Sequence, residues 1–148
     1  MPTEDFDAID AVFLRLADRK ELRGSNSITD IERVVLLVWH ASGIIGNGGF
    51  QYFFECALPL LATAEAFDRI GVEQAGSILR QLQEFFPGRH IPDDYDERMA
   101  IVSKFRDEHT DLLSRLEGEF YSTDALTQQQ LVGWIRLHKD VFNFTDFA

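Results

Sequence analysis

The sequence predicts an all-α fold: one compact domain, a multi-helix bundle of about seven helices. Three observations predict it. Helical spacing of apolar residues recurs almost throughout, and strict two-residue alternation almost nowhere. Glycine and proline punctuate the chain where those helices should stop. The 148 residues are 45% apolar and 12% aromatic, enough for one packed core, and no repeat, linker or low-complexity tract divides them.

The first helix is expected from about Thr3, as N-cap, to Arg23. Phe6, Ile9, Phe13 and Leu16 form its apolar stripe, and Gly24 ends it. Ser25-Asn26-Ser27 reads as a short loop. Thr29 and Glu32 stand at capping-box spacing and open a second helix through Val34, Val35, Val38, Trp39 and Ser42. That helix is apolar over most of its circumference, which places it at the centre. Gly46-Asn47-Gly48-Gly49 then breaks the chain, since Gly and Asn tolerate positive φ. A short aromatic helix, Phe50 to Ala57, follows. Phe50, Tyr52, Phe53 and Phe54 cannot all point one way, so most should fill the core and at least one should reach a groove or a dimer contact.

Pro59 suits the first turn of the next helix, which ends at Gly71. Another runs from about Glu73 to Phe86 and stops at Pro87-Gly88, with Arg89 to Pro92 as loop. Asp93 to Phe105 and Asp107 to Tyr121 read as two helices, or as one with an irregularity. Thr127 and Gln130 repeat the capping-box spacing before a last helix carrying Leu131, Trp134, Ile135 and His138. Thirteen Phe against three Tyr suggest bulky rings filling the spaces between helices.

The formal net charge is −11. Direct binding to nucleic acid or anionic membrane is disfavoured, because Lys and Arg supply most of the affinity for phosphate. Basic partners are favoured instead. The longest apolar stretch, around Val34 to Val38, is far short of the ~20 residues of a membrane span. Met1 to Asp5 has neither the basic nor the apolar part of a secretory signal, so a cytoplasmic protein is expected and the Asn143-Phe144-Thr145 sequon carries no weight. Cys56, alone in the chain, lies in the apolar run Phe53 to Leu61 and is expected to be a buried free thiol.

Catalytic signals are absent from this reading. His40, His90, His109 and His138 have no His or Cys three to five residues away, so no metal site and no cofactor is assigned. Cys56 has no neighbouring His, and His40 is the best partner the fold could bring to it. The Asn47-Gly48-Gly49-Phe50 loop has two readings. Its amides could cradle an anion at the start of the Phe50 helix; the preferred alternative is a tight helix connection whose backbone excludes side chains, so that Gly48→Val should unfold or loosen the protein.

The acids are unevenly spread. Asp93, Asp94, Asp96 and Glu97 fill four of the five positions after Pro92, and Asp107, Glu108, Asp111, Glu117 and Glu119 follow. Ten acids against four bases between Ile91 and Asp124 hold over half the net charge. Acids belong in a helix's first turn, and the surplus beyond that could form a carboxylate face. Positions four apart on a helix are ~6 Å apart along its axis, close to the ~7 Å between phosphates on one DNA strand.

The stretch Gly43-Ile44-Ile45-Gly46-Asn47-Gly48-Gly49-Phe50-Gln51-Tyr52-Phe53-Phe54-Glu55 resembles a bacterial helical family whose best-described member is a DNA mimic. The likeness extends over about Ile31 to Phe142, through the Ile70-Gly71 turn, the Phe86-Pro87 stop, Gly118-Glu119-Phe120-Tyr121 and the helix at Trp134-Ile135. Where the family often carries a Glu before Asn-Gly-Gly, this chain has Ile44 and Ile45. The resemblance implies an all-α fold able to form a homodimer, and a role in which surface carboxylates occupy a transcription factor's DNA site.

Three readings follow. An acidic, non-enzymatic interaction module would bind a basic protein through Asp93 to Glu97 and Asp107 to Glu119, in a salt-sensitive manner; reversing Asp93, Asp94, Asp96 and Glu97 to Lys should abolish binding and leave folding intact. An immunity or structural protein would use an apolar interface around Phe50 to Phe54. A small-ligand binder or enzyme would use the Asn47 to Gly49 loop and His40.

Overall fold

A computed structural model describes residues 4–142, and every regular element in them is helical. Eight α-helices follow in order: α1 Glu4–Arg23, α2 Asp30–Glu55, α3 Leu60–Arg69, α4 Glu73–Gln83, α5 Tyr95–Glu108, α6 Thr110–Tyr121, α7 Asp124–Leu137 and α8 Lys139–Phe142. Short 3-10 turns lie at Ser25–Ser27 and Pro87–Arg89. Thr3 and the Asn143 sequon lie outside the described residues. No helix among the described residues is long and apolar enough to cross a membrane.

The central position of α2 follows from its sequence. Thr29 caps it: the Glu32 N–H donates to the Thr29 hydroxyl at 3.1 Å, and the Thr29 N–H donates back to the Glu32 carboxylate at 3.0 Å. Glu32 is 2% exposed and also meets the Arg19 guanidinium of α1, so the cap fastens the first two helices together. Val34, Val35, Val38, Ala41 and Ile45 continue the buried face, and α2 packs against α1, α3, α5, α6 and α8.

Phenylalanines join the layers. Phe54 lies 5.2 Å from Phe86 and 5.4 Å from Phe53, while Phe120 lies 5.6 Å from Phe67 and 6.1 Å from Phe50, mostly edge to face. Of the aromatic run, Phe50, Phe53 and Phe54 are buried and Tyr52 faces out, as the crowding of one helix turn requires.

Several local expectations are corrected. The break at Gly46 to Gly49 is a kink inside α2: Gly46 and Asn47 stay helical, and only Gly48 (φ −145°, ψ 15°) and Gly49 (φ 68°, ψ −167°) depart. Positive φ therefore belongs to Gly49, whereas a Cβ on Gly48 would come within 2.6 Å of the Tyr52 Cβ. Thr127 caps nothing. α7 begins one turn earlier, after Thr123, and Thr127 is buried in its interior. Gln130 instead donates to the Ile70 carbonyl at 2.7 Å. Cys56 is exposed: it is the C-cap residue, where α2 ends and the chain turns away.

Candidate functional site

The acids after Pro92 gather around α5 and the start of α6. Asp93, Asp94, Asp96 and Glu97 are exposed at the start of α5, and Asp107, Glu108 and Asp111 are exposed near its end. α5 has 14 residues, so at 1.5 Å per residue the two groups stand roughly 20 Å apart along its axis. Between them the exposed side chains include Lys104 and Arg106, so the acids form two poles.

The poles differ in origin. Asp94 is the N-cap of α5, accepting from the Glu97 N–H at 3.0 Å, and Asp96 and Glu97 lie in the first turn, where the helix dipole favours acids. Charge reversal at Asp94 would therefore cost stability, contrary to the expectation that all four could be reversed freely. Asp107 and Glu108 stand in the last turn of α5, because His109 (φ −129°, ψ 38°) ends the helix later than the sequence suggested. The α5 dipole opposes acids there, while Arg106, 3.8 Å from Asp107, and the N-terminus of α6 at Thr110 offset it.

Glu119 is half-buried and lies 3.7 Å from Arg115. Glu117 is directed inward. Its Oε1 accepts from the Phe50 N–H at 3.0 Å, on the far side of the α2 kink. One turn along α6, the Tyr121 hydroxyl donates to the Ile45 carbonyl at 3.0 Å, on the near side. Burial raises the Tyr121 pKa, with Glu117 and Asp124 adding to it, so the phenol stays a donor. α6 supplies a partner to an amide on one side of the kink and to a carbonyl on the other. The glycine loop thus does hold an anion: the anion is the chain's own Glu117. A Cβ on Gly49 would lie 2.5 Å from that carboxylate oxygen.

Arg98, which the sequence reading passed over, is 4% exposed. Its Nε donates to the Phe54 carbonyl at 2.7 Å, and its Nη1 to the carbonyls of Asp93 at 2.8 Å and Pro92 at 3.2 Å. The guanidinium thus complements the carbonyl end of α2 and ties down the loop bearing the first acidic pole. A signal was present: Arg98 shares the i, i+4, i+7 stripe of Val102 and Phe105, both buried. Glu117 likewise keeps that spacing with the buried Leu113 and Phe120.

Two cavities flank α2 near the kink. One of about 400 Å³ lies between α2, α5 and α6, lined by Asn47, Gly48, Gly49, Arg106 and Glu117 among others. The other, of about 320 Å³, lies between α1, α2 and α7 and contains His40. Burial lowers the His40 pKa, and Lys20 lowers it further. Cys56 lines neither cavity.

No curated protein and no solved structure matches this chain. The family model described as DMP19-like protein does match, over residues 26–138, from the turn before α2 to the end of α7. That stretch contains the kinked helix, the helix that clamps it and both acidic poles, and the chain belongs to the DMP19-like protein family.

Proposed function

We propose that this chain is a non-enzymatic interaction module that acts as a DNA mimic, presenting the carboxylates around α5 to the DNA-binding surface of a basic protein. The observation that carries the reading is the pair Asp107 and Glu108 in the last turn of α5, with Asp111 just beyond. Helix grammar accounts for Asp94, Asp96 and Glu97, and for Asp111 in the first turn of α6, whereas the α5 dipole opposes Asp107 and Glu108 by roughly 0.3–1 kcal/mol each. Their exposure and net charge are the features a Lys- or Arg-rich surface would recognise. The roughly 20 Å between the poles is about three phosphate steps of ~7 Å along one strand. Membership of a DNA mimic-type family supports the same reading.

The test is capture of partners from the native lysate at low and high salt, followed by competition with duplex DNA. Asp94 is left intact, and Asp93→Asn, Asp96→Asn, Glu97→Gln, Asp107→Asn, Glu108→Gln and Asp111→Asn are combined. The expected result is a basic DNA-binding protein held only at low salt, displaced by DNA, and lost by the variant at unchanged fold. Salt-resistant capture that survives the six changes would overturn the reading in favour of an apolar interface.

A further inference from the structure

We infer that the cavity between α1, α2 and α7 binds a small organic cation, an ammonium or guanidinium group carried on an apolar body. The site is separate from the acidic poles and does not depend on the interaction-module reading. Phe6, Phe13, Trp39 and Ile44 supply its apolar wall, and Asp10 and Asp124 supply carboxylates. No Lys or Arg lines it among the described residues.

The wall is ordered by specific contacts. Phe6 packs edge-on to Trp39 with ring centres 5.0 Å apart, and Phe13 lies 5.9 Å from the His40 ring. Asp10 accepts from the Trp39 indole N–H at 3.0 Å, which fixes the carboxylate against the aromatic wall. Asp124, in the first turn of α7, lines the same space, and partial burial raises its pKa. His40 is held toward its neutral form by burial and by Lys20. Among the described lining residues the charged side chains are thus the two carboxylates, and the nearest base named, Lys20, acts on His40 from outside the lining. Aromatic faces attract cations electrostatically, and low-dielectric walls concentrate the field of the two carboxylates. The volume of about 320 Å³ is at the lower end for small-molecule sites, which fits a single ring or short alkyl body with one charged head.

The experiment titrates 2-phenylethylamine, cationic at neutral pH, into the intact 15N-labelled chain, with the neutral 2-phenylethanol as comparison. Of the two tryptophans, Trp39 lines the cavity, while Trp134 donates to the Ile31 carbonyl elsewhere and serves as the internal control. The expected result is a saturable shift of the Trp39 indole resonance with Trp134 unmoved. The amine should bind roughly tenfold or more tightly than the alcohol, the factor a charge-assisted hydrogen bond supplies. Asp124→Asn should remove that preference. Asp10→Asn, which keeps an acceptor for Trp39, is the second variant should Asp124→Asn perturb the fold. Equal binding of amine and alcohol, absence of saturation, or equal shifts at both tryptophans would overturn the inference.

Discussion

Replacing Gly49 by Ala tests the clamp between α6 and the kink of α2. At φ 68° and ψ −167° Gly49 occupies backbone territory that is nearly glycine-only, and an L-residue there costs roughly 1–3 kcal/mol. The new Cβ would also lie 2.5 Å from the Glu117 Oε1. The carboxylate must withdraw from the Phe50 N–H, and losing a hydrogen bond to a charged group costs a further ~1.5–3 kcal/mol. The sum, roughly 2.5–6 kcal/mol, is a large part of the ~5–15 kcal/mol that holds a domain folded. It corresponds to a Tm lower by roughly 10 °C or more.

Urea unfolding followed by helix circular dichroism reads this as a lower midpoint at unchanged slope. Gly46→Ala is the control: Gly46 is helical with nothing near its would-be Cβ, so Ala there should stabilise by ~0.5–1 kcal/mol. A cycle with Glu117→Ala separates the two costs. With no carboxylate to strike, Gly49→Ala should cost only its backbone part, and the double variant should fall short of the sum by ~1.5–3 kcal/mol. A Gly49→Ala protein within ~1 kcal/mol of the parent, or an additive cycle, would refute the reasoning.

Arg98→Ala should cost about 3 kcal/mol or more, because three carbonyls lose a buried donor; hydrogen exchange should show the loop around Asp93 opening first. Asp94→Ala should lower stability by ~0.5–2 kcal/mol through loss of the α5 cap, whereas Asp93→Ala should stay within ~0.5 kcal/mol of the parent, a contrast that chemical denaturation resolves. His40 should titrate by NMR with a midpoint below its ordinary 6.5. Lys20→Gln should restore only part of the difference, since burial is the larger cause. The unfolded chain takes up protons more readily than the folded one as pH falls through 6.5, so this side chain contributes stability that is complete above that pH and lost below it. His40→Gln should flatten that part of the stability profile.

Local rules made most of the fold legible. Thr29 and Glu32 cap α2 as their spacing says, and Gly24 and Gly71 end helices at positive φ. The same rules erred where two elements competed. Thr127 and Gln130 have the spacing of a cap, yet the helix-forming residues from Asp124 onward start α7 a turn earlier. Cys56 was judged by its sequence neighbours, although on a helix adjacent residues face different sides. The acids around α5 were visible in the sequence, but their division between capping and the opposing helix end depended on where α5 stops. Glu117 and Arg98 were hidden because charges were read as surface. Both lie on buried stripes, and their partners are 67 and 44 residues away.

The separation of Glu117 from Phe50 bears on the order of assembly. A chain emerging from its N-terminus acquires the whole of α2 long before α6 exists, and through that interval the amide of Phe50 and the carbonyl of Ile45 lack the side-chain partners that α6 supplies. The bend becomes a fixed angle when a 67-residue loop closes, a step that must overcome chain entropy before it gains any contact. Any species truncated before Glu117 would carry an unclamped α2, with rings such as Phe50 and Phe53 shared between water and an incomplete core.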